Sequence, residues 1–294
     1  ELLDGLTAGT AIASKVVTTD ANIDTSGQRN LTITGELDAA TLDISGAIDI
    51  AGASLLSTLG VTTAKDLGSG IHIRTADSGA SVQNYADELV IEGGAAGTGM
   101  TILCHNDQSG SIMFGDQDDN DVGFIQYSHG SEYMRFITNG VEHMRIDGIG
   151  AVTKPLQPAF HVTNAAQNNL GTDASATITF STEVFDVNAD FNTSNYTFTA
   201  PVTGKYQLNL DLYVNSIDSA SDYYHIKIVT SNRVYSNVLD PGVLASDPVY
   251  WNFALAVLAD MDASDTAHVT IRHNNGTAQT DITTEAVFSG YLVA

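Results

Sequence analysis

Four aspartates crowd the stretch GDQDDNDVG at residues 115–123, a concentration of oxygen ligands that suggests a divalent cation. A helix-loop-helix calcium site needs glycine at its sixth position and a bidentate glutamate at its twelfth. Counted from Asp116, those places hold Asp121 and Tyr127, so the stretch reads as a charged hairpin turn. GGAAGTG at residues 93–99 lacks the Lys and Ser/Thr of a phosphate-binding loop and reads as a flexible turn. The eight histidines include no H-x-H, HExxH or Cys/His zinc spacing. His143 would hold an ion only by meeting its own copies on a three-fold axis. Cys104 sits beside His105, but neighbours on a strand point to opposite faces, which excludes a thiol–imidazole dyad. No G-x-S-x-G elbow occurs, and no local pair of carboxylates suits glycoside cleavage. The chain therefore reads as a binding or structural protein, not an enzyme.

The elements that position any site read as strands throughout. In YTFTAPVTGKYQLNLDLYV (residues 196–214), YTFTA alternates large apolar residues with Thr. Pro and Gly then make a tight corner, because Pro fixes φ and removes a ladder donor while Gly permits positive φ. Beyond the corner Tyr206, Leu208, Leu210, Leu212 and Val214 share one face, with Gln207, Asn209, Asp211 and Tyr213 on the other. From Ile71 onward the short segments IHIR, LVIE, MTIL, SIMF, FIQY, YMRF and HMRI recur about every ten residues between Gly, Asp and Asn turns. No gap holds a helical pattern, so this reads as an antiparallel meander or β-roll. Residues 1–60 are poor in aromatics and carry a loose repeat, LTITG, LDISG and IDIAG. Strands this short cannot bury a face alone and must stack on neighbours or on other chains, unless the region is a low-complexity tether. A short helix fits only residues 53–66.

Composition narrows the partners. Eleven Lys and Arg against 35 Asp and Glu give a net charge of −24, which argues against nucleic acid and against anionic membrane surfaces. One cysteine excludes an intrachain disulfide. Apolar runs fall well short of the roughly 18 residues of a membrane helix. The chain opens at Glu1, not Met, and no signal peptide is legible, which reads as a fragment or processed product.

Phe185, Asn188, Tyr196, Phe198, Pro201, Gly204 and Tyr206, followed by Phe288, Gly290 and Tyr291 in the closing AVFSGYLVA, resemble the signature of the complement-q globular head, a jelly roll of the tumour-necrosis-factor superfamily. The resemblance implies a homotrimer of ten-stranded sandwiches used for binding, with both ends of the domain at a base near a stalk. Ahead of it, GLTAGTAIASKVVTTDANIDTSGQRNLTITG (residues 5–35), DELVIEGGAAGTGMTIL (87–103), GSIMFGDQDDNDVGFIQY (110–127) and MRID (144–147) resemble bacteriophage tail-fibre proteins. That resemblance implies a virion tail fibre whose partners are other phage tail proteins and a host cell-surface receptor, a glycan or an outer-membrane protein. Capsid or collar decoration fibres, secreted adhesins and polysaccharide-degrading tailspikes remain the alternatives.

The expected organisation is all-β. A trimeric, elongated shaft spans residues 1–66 (repeats) and 67–150 (meander or β-roll), a proline linker spans 151–159, and the jelly-roll tip spans 160–294. In an up-and-down strand order the three long loops near residues 215–222, 239–248 and 274–284 fall at one end, away from the stalk. They nominate Asp218, Asp222, Tyr223, Asp240, Asp247, Tyr250, Asn274, Asn275 and Thr280 for receptor contact. Tyr223, Tyr224, Tyr250 and Trp251 suit either sugar stacking or the core. Some relatives of the fold bind calcium, which makes calcium the candidate cofactor and Asp218, Asp222 and Asp240, with Asp247 beside them, its candidate ligands.

Overall fold

The computed structural model describes residues 71–74, 76, 78–95 and 97–294. The repeats of residues 1–66 and the short helix expected at 53–66 lie outside the described residues. The chain divides into two compact units, Glu1–Thr98 and Gly99–Ala294. In the first, β1 (Ile71–Arg74) and β2 (Leu89–Glu92) pair in parallel, from Ile71 opposite Leu89 to Arg74 opposite Glu92. An antiparallel arrangement was the expectation. Parallel pairing requires a crossover, and the residues described between the two strands supply it without a helix.

The second unit begins with an antiparallel meander, as the strand spacing implies. Its strands are β3 (Ser109–Phe114), β4 (Gly123–Ser128), β5 (Tyr133–Thr138), β6 (Val141–Ile146) and β7 (Val152–Thr153), paired in that order. MTIL, expected as a strand, is not one. Ile102 Cγ2 lies 3.2 Å from where a Cβ on Gly110 would stand, so the segment crosses the face of the sheet instead of pairing at its edge. The acidic stretch is the β3–β4 turn. Asp116 accepts from the N–H groups of Asp118 and Asp119, both at 2.9 Å, and Gly115 packs so close to the Asn120 backbone that a Cβ would sit 2.6 Å from its carbonyl oxygen.

Register assigns the two faces of this sheet. Ile112, Phe114, Ile125, Tyr127, Met134, Phe136, Met144, Ile146 and Val152 share one face. The other carries Gln126, Arg135, Glu142 and Arg145: Arg145 holds Glu142 through Nε (2.8 Å) and Nη2 (2.7 Å) and lies 4.1 Å over the Tyr133 ring. None of the apolar-face residues is buried; in the five strands only Ile137 is, at 5% exposure.

Residues 159–292 build a sandwich. The strands are β8 (Ala159–Thr163), β9 (Ala176–Thr177), β10 (Thr182–Asp186), β11 (Phe191–Asn192), β12 (Thr197–Thr199), β13 (Gly204–Asn215), β14 (Tyr223–Thr230), β15 (Val234–Leu239), β16 (Tyr250–Met261), β17 (Thr266–Asn274), β18 (Asp281–Ile282) and β19 (Val287–Leu292). One sheet runs β10-β8-β19-β13-β16 with β18 on β13; the other runs β11-β12-β17-β14-β15 with β9 on β17. The two five-stranded paths are the expected ten-stranded jelly roll. The up-and-down order is corrected: β13 pairs with β16 and β19, and the Pro201 corner carries the chain from one sheet to the other.

Alternation decides the core. Tyr206, Leu208, Leu210, Leu212 and Val214 all face inward with 3% exposure or less. Phe160 stacks on Phe198 (centroids 4.6 Å apart) and Phe191 (5.3 Å) and meets Phe288 edge-on at 5.1 Å. Each such buried ring contributes about 1.5–3 kcal/mol of burial. Gly290 makes this cluster possible, because a Cβ there would stand 2.7 Å from both Phe160 Cε1 and Leu208 Cδ2. Of the remaining signature residues, Tyr206 donates its hydroxyl to the Val202 carbonyl at 2.8 Å and so ties down the corner. Gly204 leaves room for Leu292 and the Ala294 carbonyl. Asn188 adopts φ 68°, which asparagine tolerates better than most residues, and donates to the Leu156 carbonyl at 3.1 Å. Phe185 and Tyr291 are half exposed on the outside of the first sheet.

Candidate functional site

The two ends of the sandwich differ. At one end the first and last residues of the domain meet: Leu292 N donates to the Pro158 carbonyl (3.0 Å), Gln157 Nε2 to the Leu292 carbonyl (2.6 Å) and Lys205 N to the Ala294 carbonyl (2.7 Å). The short turns lie here too, with Ala263 N donating to Thr203 Oγ1 at 3.0 Å and Asn232 Nδ2 to Asp265 at 2.7 Å.

At the other end the three long loops, 216–222, 240–249 and 275–280, converge, joined by the 164–175 segment. Asp218 is the hub. Its carboxylate accepts from Thr277 N, Thr277 Oγ1 (2.9 Å) and Ala220 N (2.9 Å), which locks the first loop to the third. Its own N–H donates to Tyr224 Oη at 2.9 Å, and that hydroxyl shares a 2.6 Å hydrogen bond with Thr280 Oγ1. Burial pushes the Asp218 carboxyl up, but the hydrogen bonds from Thr277 and Ala220 outweigh it and leave the group below the usual carboxylate range. Gly276, at φ +77°, is the residue that lets the third loop close: a Cβ there would stand within 2.6 Å of Ser221 Oγ. Asp247 accepts from Ser219 N (2.8 Å), Ser219 Oγ (2.5 Å) and Gln279 Nε2 (3.2 Å), tying the second loop to the other two. The Ser219 hydroxyl, then its N–H and the Gln279 amide, hold this carboxyl low as well. Asp222 accepts from Asn274 Nδ2 at 3.0 Å and from Asn275 Nδ2. Asn275 N donates to Asp173 Oδ1 at 3.0 Å. Asp240 caps a 3-10 turn (Pro241–Val243) by accepting from Gly242 N at 3.0 Å.

This geometry corrects part of the expected set. Asp218 and Thr280 are 3% and 0% exposed: they brace the loops from within and present nothing to a ligand. Asp222, Asp240, Asp247, Asn275 and Tyr250 are exposed, and Tyr223 and Asn274 are half buried. Tyr250 stacks on Tyr213 (5.8 Å) outside the first sheet, whereas Tyr223 lies outside the second, so the two rings cannot grip one sugar. Tyr224 is core, 0% exposed. Among the described residues no three His, Cys, Asp or Glu side chains gather to hold a metal ion, and Asp218, Asp222 and Asp240 do not form a shared calcium cage. Each already accepts an N–H donor through at least one oxygen. Cys104 is exposed and His105 turns to Asp107 at 2.6 Å, so no dyad forms there.

One surface was not singled out from the sequence. Outside the second sheet, β14 presents Tyr223, His225 and Lys227 against Asn274, Arg272 and Thr270 of β17. The signal was in the alternation of YYHIKIVT and TAHVTIRHN, but placing both strands side by side required the register.

Residues 159–293 match the sequence profile of the C1q domain. A comparison with curated proteins finds no match. Among solved structures, the globular domain of zebrafish complement 1qA protein is 18% identical, over 47% of this chain and 98% of that one, with a TM-score of 0.36. Murine APRIL, crystallised at pH 8.0 and at pH 8.5, is 9% identical over 47% of this chain and 99% of that one, with a TM-score of 0.35. Profile, crossed strand order and glycine-packed aromatic core agree, and residues 159–293 form a jelly-roll sandwich similar to the C1q domain.

Proposed function

We propose that the chain is the distal part of a bacteriophage tail fibre, a homotrimer whose C-terminal domain attaches the virion to a receptor on the host cell surface. The observation that carries the reading is the polarity of the sandwich. The domain's first and last residues are tied together at one end, and three long loops, braced by Asp218 and Asp247, stand at the other. A rigid platform with loops aimed away from its attachment point suits passive adhesion, in which several weak contacts per trimer add up. C1q/TNF-type domains are typically trimeric binding modules, which supports both the assembly and the absence of chemistry. The apolar face of the β3–β7 sheet, where Ile112, Phe114, Met134 and Val152 stay exposed beside the crossing segment of Ile102, supports a shared interior. The tail-fibre assignment rests on the resemblance of residues 5–35, 87–103, 110–127 and 144–147.

Labelled protein added to a panel of bacterial cells tests the reading: saturable binding to particular strains, competing with phage adsorption, is expected. Antibody label on virions is expected at the tail. Label on the head or collar would make the chain a decoration fibre, and release of oligosaccharide from host polysaccharide would make it a degrading tailspike.

A further inference from the structure

The outer face of the second sheet carries cations and no acidic strand residue. Against 35 acidic residues in the chain, the strand residues that point outward from β11, β12, β17, β14, β15 and β9 include no Asp or Glu. They do include Lys227 and Arg272, on adjacent strands and one pair apart: Lys227 stands opposite Thr270 and Arg272 opposite His225. Among the described residues Lys227 makes no ion pair and no side-chain hydrogen bond, unlike Arg233, which is clamped by Asp260 (Nε–Oδ1 2.8 Å, Nη2–Oδ2 2.7 Å). Arg272 is held at one nitrogen and makes no ion pair among the described residues. Its Nη2 donates to Asn274 Oδ1 at 2.9 Å, its guanidinium lies 5.9 Å over the Tyr223 ring, and its buried Nε has no partner. The positive field is felt locally: burial first, then Lys227 and Arg272, hold the His225 imidazole below its ordinary range. Asp222, at the loop end, is taken by the Asn274 and Asn275 amides.

We propose that this face, centred on Lys227 and Arg272, binds the carboxylate groups of an acidic cell-surface polysaccharide. The inference rests on the attachment reading and names its receptor class. A planar guanidinium accepts a carboxylate through two parallel N–H donors, and a neighbouring ammonium adds a point charge. The Tyr223 ring beside them offers an apolar face to a pyranose ring, and Thr270 offers a hydroxyl to its hydroxyls. The ligand is a uronate-type glycan and not a bare anion because the cations stand beside an aromatic ring and neutral polar side chains. The net charge of −24 does not forbid such binding. At about 0.15 M ionic strength the screening length is about 8 Å, so distant carboxylates are screened while contact pairs persist.

The test uses the full chain on immobilised polygalacturonate, with dextran as the neutral surface and a phosphorylated mannan as the phosphate-bearing one. Binding to polygalacturonate over both is expected. Lys227→Gln and Arg272→Gln are each expected to weaken it at least tenfold, with unchanged thermal unfolding for Lys227→Gln. Lys205→Gln, the same charge change at the far end, is expected to leave it intact. Equal affinity for dextran, preference for the phosphorylated mannan, or an equal loss in Lys205→Gln overturns the proposal. Cell adhesion read in parallel separates the two claims. Variants that still adhere to host cells at wild-type level sink the assignment of this face and leave the attachment reading standing. Polygalacturonate binding through Lys227 and Arg272 without adhesion to any cell does the reverse.

Discussion

Replacing Asp218 by Ala probes the bracing of the loop end directly. The wild-type carboxylate takes three donors, the N–H groups of Thr277 and Ala220 and the Thr277 hydroxyl, in a site that is 3% exposed. The Thr277 hydroxyl can rotate to another acceptor, but the two N–H groups are fixed by the backbone. A hydrogen bond to a charged acceptor is worth about 1.5–3 kcal/mol net, so losing two costs about 3 kcal/mol once water reaches part of the vacated space. For a unit of this size, about 2–4 °C of unfolding temperature accompanies each kcal/mol, which places the Asp218→Ala transition roughly 6–12 °C below wild type. Asp218→Asn, which keeps one acceptor oxygen, should lose about half as much. Hydrogen exchange supplies the local reading: the Thr277 and Ala220 amides should exchange faster in the Ala variant while β13 and β16 amides stay protected. The pH dependence follows from the same contacts. The folded carboxyl is held below its unfolded value, so its contribution is complete above the unfolded carboxylate pKa of about 4 and is lost as pH falls through the folded one. An Asp218→Ala protein that melts within a degree of wild type, with unaltered exchange at Thr277, would show that the loops are held by something other than this hub.

Four further outcomes are expected. Gly290→Ala should destabilise the domain by about 1–3 kcal/mol through overpacking against Phe160 and Leu208, and Phe160→Leu in the same chain should recover part of the loss; a double variant no better than the sum of its parts refutes the clash. The Arg233 fork holds the Asp260 carboxyl at about 2, so the stability that pair adds is present above about pH 4 and disappears as pH falls towards 2; melting curves of Asp260→Asn and wild type should converge there. Phe136→Asp on the apolar face of the β3–β7 sheet should reduce the mass in solution from three times 31.0 kDa towards one, and an unchanged mass by light scattering would count against a shared interior. The His225 imidazole should titrate below an ordinary histidine by NMR, and Lys227→Gln should move it upward; no movement means that Lys227 does not reach it.

The sequence by itself determined which side chains face inward. Period-two alternation is a property of one strand, and the positions it marks from Tyr206 to Val214 are buried as marked. The Pro201–Gly204 corner and the closing strand with Gly290 were also legible locally, although Gly204 serves there by leaving room for Leu292 and not through a positive φ. Only the tertiary structure decided which strands meet. Alternation looks the same whatever the partner, so nothing in β13 alone announces β16 and β19 on its two edges, or a parallel partner for β1. Nor could loop composition separate an aspartate that faces water from one like Asp218, because its burial depends on Thr277 arriving from a loop far along the chain. The Lys227–Arg272 pair shows the same limit: each residue alternates outward on its own strand, but their adjacency exists only once the register of β14 on β17 is set, by packing in the core behind them.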